Sequence, residues 1–160
     1  VFHKYIQEEL SKPTHLLRTP LGRERQFLGL RSGEKNYSIL NEAYAHIPQS
    51  TVGDNTGLAV CELEKCHPYI LQDGHDSLCQ EVPDNERELR TVFGNTEKAF
   101  KRVIKFYNGL EVEIPIEGQI GYNWKDKIKL EQYTEECLMD AYKQLHDKYP
   151  QPQKELIQCV

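Results

Sequence analysis

Apolar residues at i, i+3, i+4 and i+7 place Phe100, Val103, Ile104 and Tyr107 on one helical face, with Lys98, Lys101, Arg102 and Lys105 opposite. Asn95 or Thr96 caps the start, Glu97 lies near the positive end of the dipole, and Gly109 is placed to end the helix in the left-handed conformation. Leu110, Val112, Ile114 and Ile116 then alternate with Glu111, Glu113 and Pro115. That period of two predicts a strand over residues 110–117 with one face toward a core, and Pro115, which cannot donate to a ladder, puts it at a sheet edge. Asn108-Gly109 is also the favoured two-residue hairpin turn, which would make residues 101–107 a strand. The complete 3.6-residue spacing favours the helix.

Taken in order, residues 2–11 predict a helix with Phe2, Tyr5, Ile6 and Leu10 on one face, ended by Pro13. Residues 12–25 read as a basic connector broken by Pro13, Pro20 and Gly22. A strand follows at Gln26–Leu30, then a turn through Ser32-Gly33-Glu34. Ile39, Leu40, Ala43, Tyr44 and Ile47 predict a short helix stopping before Pro48, and PQSTVGDNTG reads as a loop. Alternation over residues 58–63 predicts a strand, with a second at Pro68–Gln72. Residues 73–84 read as a long polar loop. Asn85 and Glu88 form a capping-box pattern opening a helix that Gly94 ends. EGQIGYNWKD reads as a loop holding the one tryptophan, and residues 128–148 as the clearest helix, with acidic residues early and basic residues late. The last eight residues pack as a strand or lead into further chain.

This order predicts an α+β domain over residues 1–160, a small, largely antiparallel sheet packed against several helices, with a long C-terminal helix. The missing initial Met and the abrupt Cys159-Val160 end suggest a domain excised from a longer protein. No apolar run approaches the roughly 20 residues of a membrane helix, and no signal-peptide pattern opens the chain. Five cysteines, an odd number in a chain this size, point to a reducing compartment, cytosol or nucleus.

Charge changes the picture further. The formal net charge is −5, yet residues 1–40 carry seven basic side chains against four acidic, and residues 41–97 three against eleven. The acidic middle argues against a general phosphate-binding surface and leaves a basic patch at Arg18, Arg23, Arg25 and Arg31, with Lys12, His15 and Lys35 nearby. Phe27 is the one aromatic among them, a thin platform for nucleic acid, and a connector is the preferred reading.

Candidate chemistry centres on Cys61, Cys66, His67, His75 and Cys79. Cys61, Cys66, His75 and Cys79 are the set a zinc ion would use. Neither pair has the tight C-x2-C spacing, so plain thiols are preferred over zinc. Cys79 with His75 or His67 would be a nucleophile and base, without any surrounding cysteine-enzyme signature. Asp73, Asp76, Glu81, Asp84, Glu86 and Glu88 lack the register of a calcium loop and read as a solvated acidic face. Tyr122 and Trp124 are the best candidates for contact with a protein partner, because both rings bury much area at small rotamer cost. A non-enzymatic binding or regulatory module is the leading expectation. An enzyme using the 61–79 group and nucleic-acid binding through residues 12–35 are the alternatives.

Overall fold

The computed structural model describes residues 2–29, 36–66, 69–150 and 155–159. Along them run α1 (Phe2–Ser11), β1 (Leu16–Arg18), β2 (Glu24–Gln26), α2 (Tyr37–Leu63), β3 (Ile70–Asp73), β4 (Leu78–Pro83), α3 (Glu86–Phe100), β5 (Ile104–Lys105), β6 (Glu111–Val112), β7 (Gln119–Gly121), β8 (Lys127–Lys129), α4 (Glu135–Lys148) and β9 (Glu155–Cys159). The α+β class is as predicted. The chain divides into two compact units, residues 1–55 with 103–112 and residues 56–102 with 113–160. The predicted turn at Ser32-Gly33-Glu34 lies outside the described residues, as do Arg31, Lys35 and His67.

In the first unit, α1 falls where its pattern predicts and buries Ile6 and Leu10. The expected basic connector is instead a hairpin, with Leu17 opposite Arg25 and the turn closed by Thr19 and a left-handed Gly22. Leu17 is the one residue of β1 that is buried, so the strand is too short to show a period of two. Residues 101–107 are not helical. Ile104 pairs with Val112, Phe106 and Leu110 close the loop, and Gly109 adopts φ 79°. The chain therefore takes the hairpin alternative, with a three-residue loop in place of the two-residue Asn108-Gly109 turn and a strand of only Ile104–Lys105. A three-residue loop ending on a left-handed glycine fits strand twist, and Ile104 is buried while Val103 is exposed. The expected edge strand over 110–117 shrinks to Glu111–Val112, and Pro115 lies outside any ladder.

Helix α2 overturns three expectations, a helix ending before Pro48, a loop over PQSTVGDNTG and a strand at 58–63. It runs for 27 residues with Pro48 inside it. Ala43, Ile47, Thr51, Asn55, Ala59 and Leu63 are all buried at a strict spacing of four. The ends of that stripe are apolar and its middle is polar, which hid it. Thr51 satisfies its own hydroxyl by donating to the Ile47 carbonyl at 2.6 Å. Nearby, His46 is 6% exposed, and burial together with Arg25 and Arg23 pushes its pKa down. Its Nδ1 lies 3.1 Å from Ser50 Oγ.

The second unit is built on a five-stranded antiparallel sheet of order β3-β4-β9-β7-β8. The last strand in sequence is therefore the middle strand in space. Residues 73–84 do not form a long loop, because Leu78–Pro83 is β4, next to that centre. Leu78, Gln80 and Val82 face the helices, and the polar Gln80 interrupts what would have been an apolar alternation. Gln80 accepts a bond from Thr96 of α3 at 2.8 Å, and its cross-strand partner Gln158 donates to Tyr133 at 3.3 Å. Likewise the expected loop EGQIGYNWKD contains β7, and β8 takes Lys127–Lys129, where the helix over 128–148 is expected to begin.

Helices α3 and α4 cover one face of this sheet. Val82, Leu89, Val92, Phe93, Ile120, Leu138, Leu145 and Leu156 form the core between the layers. Asn85 caps α3 by accepting from the Glu88 amide at 2.8 Å, as the capping box predicts. Gly94 does not end α3. The helix continues to Phe100 because Thr96, Ala99 and Phe100 carry the buried stripe onward. Helix α4 begins at Glu135 behind the cap Thr134, so Leu130 and Tyr133 join the core from the preceding segment. At 14 residues it is not the long helix expected. No helix among the described residues is long and apolar enough to cross a membrane.

Candidate functional site

Strands β7 and β8 are joined by a tight connection, Tyr122 to Asp126. Asn123 Oδ1 accepts from the amides of Lys125 (2.9 Å) and Asp126 (2.8 Å), an Asx turn that fixes the backbone. A Cβ on Gly121 would run into the Asp126 carbonyl, so the approach of the two strands requires glycine there. Tyr149 donates to Asp126 Oδ1 at 2.8 Å, and bonds from Asn123 and Tyr149 hold the Asp126 carboxyl below its usual range. On this rigid mount Trp124 is 56% exposed, with the Lys127 ammonium 5.2 Å from its ring centroid.

Trp124 borders a groove of about 420 Å³, lined also by Gln72, Gly74, Ser77, Leu78, Cys79 and Cys159. Side-chain alternation puts Cys79 and Cys159 on the sheet face away from α3 and α4. They are directly opposed in β4 and β9, and their sulfurs are 3.4 Å apart. Cys79 is 3% exposed, and burial with the Cys159 contact pushes its pKa up to about 12, so its thiol stays protonated at neutral pH.

Tyr122 does not join Trp124 at the groove. It turns into a polar cluster around Asp84, a residue read from sequence only as part of an acidic face. The Asp84 side chain is 6% exposed and accepts from Tyr142 (3.0 Å) and Tyr122 (3.2 Å), with His146 Nε2 at 3.0 Å. The strand order explains the convergence. β4 and β7 both run antiparallel to β9, so Asp84 and Tyr122, each just past its strand, lie at the same end of the sheet. Tyr142 and His146, four apart on α4, present one helical face to that end. The i, i+4 spacing of Tyr142 and His146 is the one signal of this cluster that the sequence carries.

A buried carboxylate holding a half-exposed imidazole is the orienting half of acid–base machinery. Here the carboxylate is already shared among three donors, and among the described residues no serine, threonine or cysteine is bonded to His146. The cluster reads as a polar clamp. Burial, then Asp84, pushes Tyr122 up to about 12, and burial with the Asp84 bond does the same for Tyr142. A tyrosine whose pKa is higher folded than unfolded contributes stability that is complete below its unfolded value near 10 and lost as pH rises through 12. Stability measured by urea unfolding is therefore expected to fall between pH 10 and 12. Tyr122→Phe with Tyr142→Phe should flatten that fall, whereas an unchanged slope would mean the hydroxyls are not held neutral.

Cys61 and Cys66 are exposed near the end of α2, His75 is exposed in the β3–β4 turn, and Cys79 is buried in β4. Among the described residues no three His, Cys, Asp or Glu side chains converge to hold a metal. Arg18 pairs with Glu24, Arg23 with Asp54 and Arg25 with Glu42. No protein-family model matches the chain, and neither the curated proteins nor the solved structures contain a match to it.

Proposed function

We propose that this chain is a non-enzymatic binding or regulatory module of an intracellular protein, cytosolic or nuclear, which receives an extended segment of a protein partner beside Trp124. The exposed Trp124 on a fixed turn at the groove's edge carries this reading. A rigid aromatic on the wall of a concave surface is the usual anchor of a protein contact. The outer strand β3 supports the choice of an extended partner. Among the described residues it pairs only with β4, and its Leu71 is 51% exposed, so a segment added to β3 gains ladder bonds while its side chains reach the groove.

Two observations weigh against the alternatives. The contact of Cys79 is a second thiol and not an imidazole, which leaves it without a base. The guanidinium groups of Arg18, Arg23 and Arg25 each engage a carboxylate, which reduces their pull on phosphate. To test the proposal, peptides selected from a displayed library on the full chain are titrated against the parent and Trp124→Ala. A hot-spot tryptophan costs about 2 kcal/mol, so affinity should drop roughly thirtyfold with the circular dichroism spectrum unchanged. Equal affinity, or a variant that unfolds, would remove Trp124 from the role.

A further inference from the structure

We propose that Cys79 and Cys159 form a thiol–disulfide exchange site on the groove, closing to a reversible intramolecular disulfide when a low-molecular-weight disulfide such as oxidised glutathione is present. The inference stands apart from any protein partner, because it needs only the two strands and the groove.

Geometry is the first support. Directly opposed residues of an antiparallel pair have Cα atoms about 4.5 or 5.5 Å apart, depending on the hydrogen-bonding position. Both values fall inside the roughly 4.4–6.8 Å span of disulfides, so β4 and β9 can stay where they are. The sulfurs, 3.4 Å apart, need only side-chain rotation to close to bonding distance. Among the described residues no second pair of sulfurs is in such contact. Access is the second support. Both residues line the groove, and Cys159 is half-buried where Cys79 is sealed, so a small disulfide in the groove meets Cys159 first.

The order of steps follows from that asymmetry. Cys159 gives its proton to solvent, and its thiolate attacks one sulfur of the incoming disulfide RS–SR. One RS⁻ leaves and takes up a proton, giving a mixed disulfide between Cys159 and R. Cys79 then loses its proton, and its sulfur attacks Cys159 Sγ, expelling the second RS⁻. Two protein thiols have been oxidised by two electrons and RS–SR reduced to two RSH; excess RSH runs the sequence backwards. The second step competes well with a second molecule of RS–SR because Cys79 is already in contact with the sulfur it attacks. The raised pKa of Cys79 suits the resolving role, since it keeps this thiol from reacting before Cys159 does.

The experiment equilibrates the full chain in buffers of increasing oxidised-to-reduced glutathione ratio, quenches with acid and alkylates the remaining thiols. Digestion with trypsin and then an Asp-directed protease separates Cys66 from Cys79 before mass spectrometry. The expected product is a Cys79–Cys159 cross-link that accumulates with oxidising ratio and disappears on return to reduced glutathione. In Cys79→Ser, Cys159 should be caught as the glutathione mixed disulfide. In Cys159→Ser, which changes the less buried position, Cys79 should remain a thiol. Folded parent protein that keeps both thiols free at the most oxidising ratio would overturn the proposal. So would cross-links that run instead to Cys61, Cys66 or Cys137.

Discussion

Replacing Leu156 by alanine is expected to cost the sheet-bearing unit about 2–5 kcal/mol of stability. Leu156 is fully buried, and it sits in β9 opposite Val82 of β4, in the same core as Ile120 and Leu138. Its truncation opens a cavity bounded by both helices and by the middle of the sheet, where relaxation in any direction pulls on a paired strand. Urea unfolding followed by far-ultraviolet circular dichroism should show a lower midpoint. Amide exchange should accelerate together in β4 and β7, because β9 pairs with both. Lys143→Ala, on the exposed side of α4, should stay within about 0.5 kcal/mol of the parent. A Leu156→Ala protein as stable as Lys143→Ala would mean that β9 is not the centre of this unit.

That strand also shows where the sequence stopped being readable. ELIQC is a five-residue run with a glutamine where a core residue belongs, and Gln80 plays the same part in β4. The two glutamines are cross-strand partners whose amides bond to Thr96 and Tyr133 inside the core. A binary pattern scores them as solvent-facing, so it favours the strictly alternating 110–116 run over both central strands. The same exchange of polar for apolar hid α2, whose buried stripe passes through Thr51 and Asn55. Where the burying residues are apolar throughout, as in α1, or where a cap carries the signal, as at Asn85, pattern and structure coincide. Turn chemistry at Asn108-Gly109 points to the hairpin, and the competing helical spacing is one that Val103 and Tyr107, both exposed, fit only by coincidence.

The site was legible one residue at a time. The groove residue Trp124 and the buried Cys79 were singled out from residue type alone, yet their neighbours were not. Cys159 is 80 positions from Cys79, and Asp84 is 62 from His146. Such pairings are set by strand order, which no local window contains. The zinc set failed to assemble for the converse reason. Closeness along the chain put Cys61, Cys66, His75 and Cys79 into one group, and a helix end, a turn and a buried strand then carried them to different environments.

Asp84→Ala is the second large effect expected. The carboxylate is the shared acceptor of the Tyr122 and Tyr142 hydroxyls and the partner of His146, so its removal releases three polar groups, one just past β7 and two on α4. Hydrogen bonds to a charged group contribute about 1.5–3 kcal/mol each when well buried. His146 is 42% exposed and can rehydrate, which brings the expected loss to about 2–4 kcal/mol. A second readout separates this clamp from simple loss of packing. Burial and the Asp84 charge together hold both tyrosines near 12, so without Asp84 the ultraviolet titration of these phenols should move back part of the way toward 10. Asp84→Asn keeps an acceptor and removes the charge, so it should shift the titration nearly as far while losing less stability. If the alanine variant loses stability with no movement of the phenol titration, the tyrosines are held by packing alone, and the carboxylate is not what ties the end of α4 to the sheet.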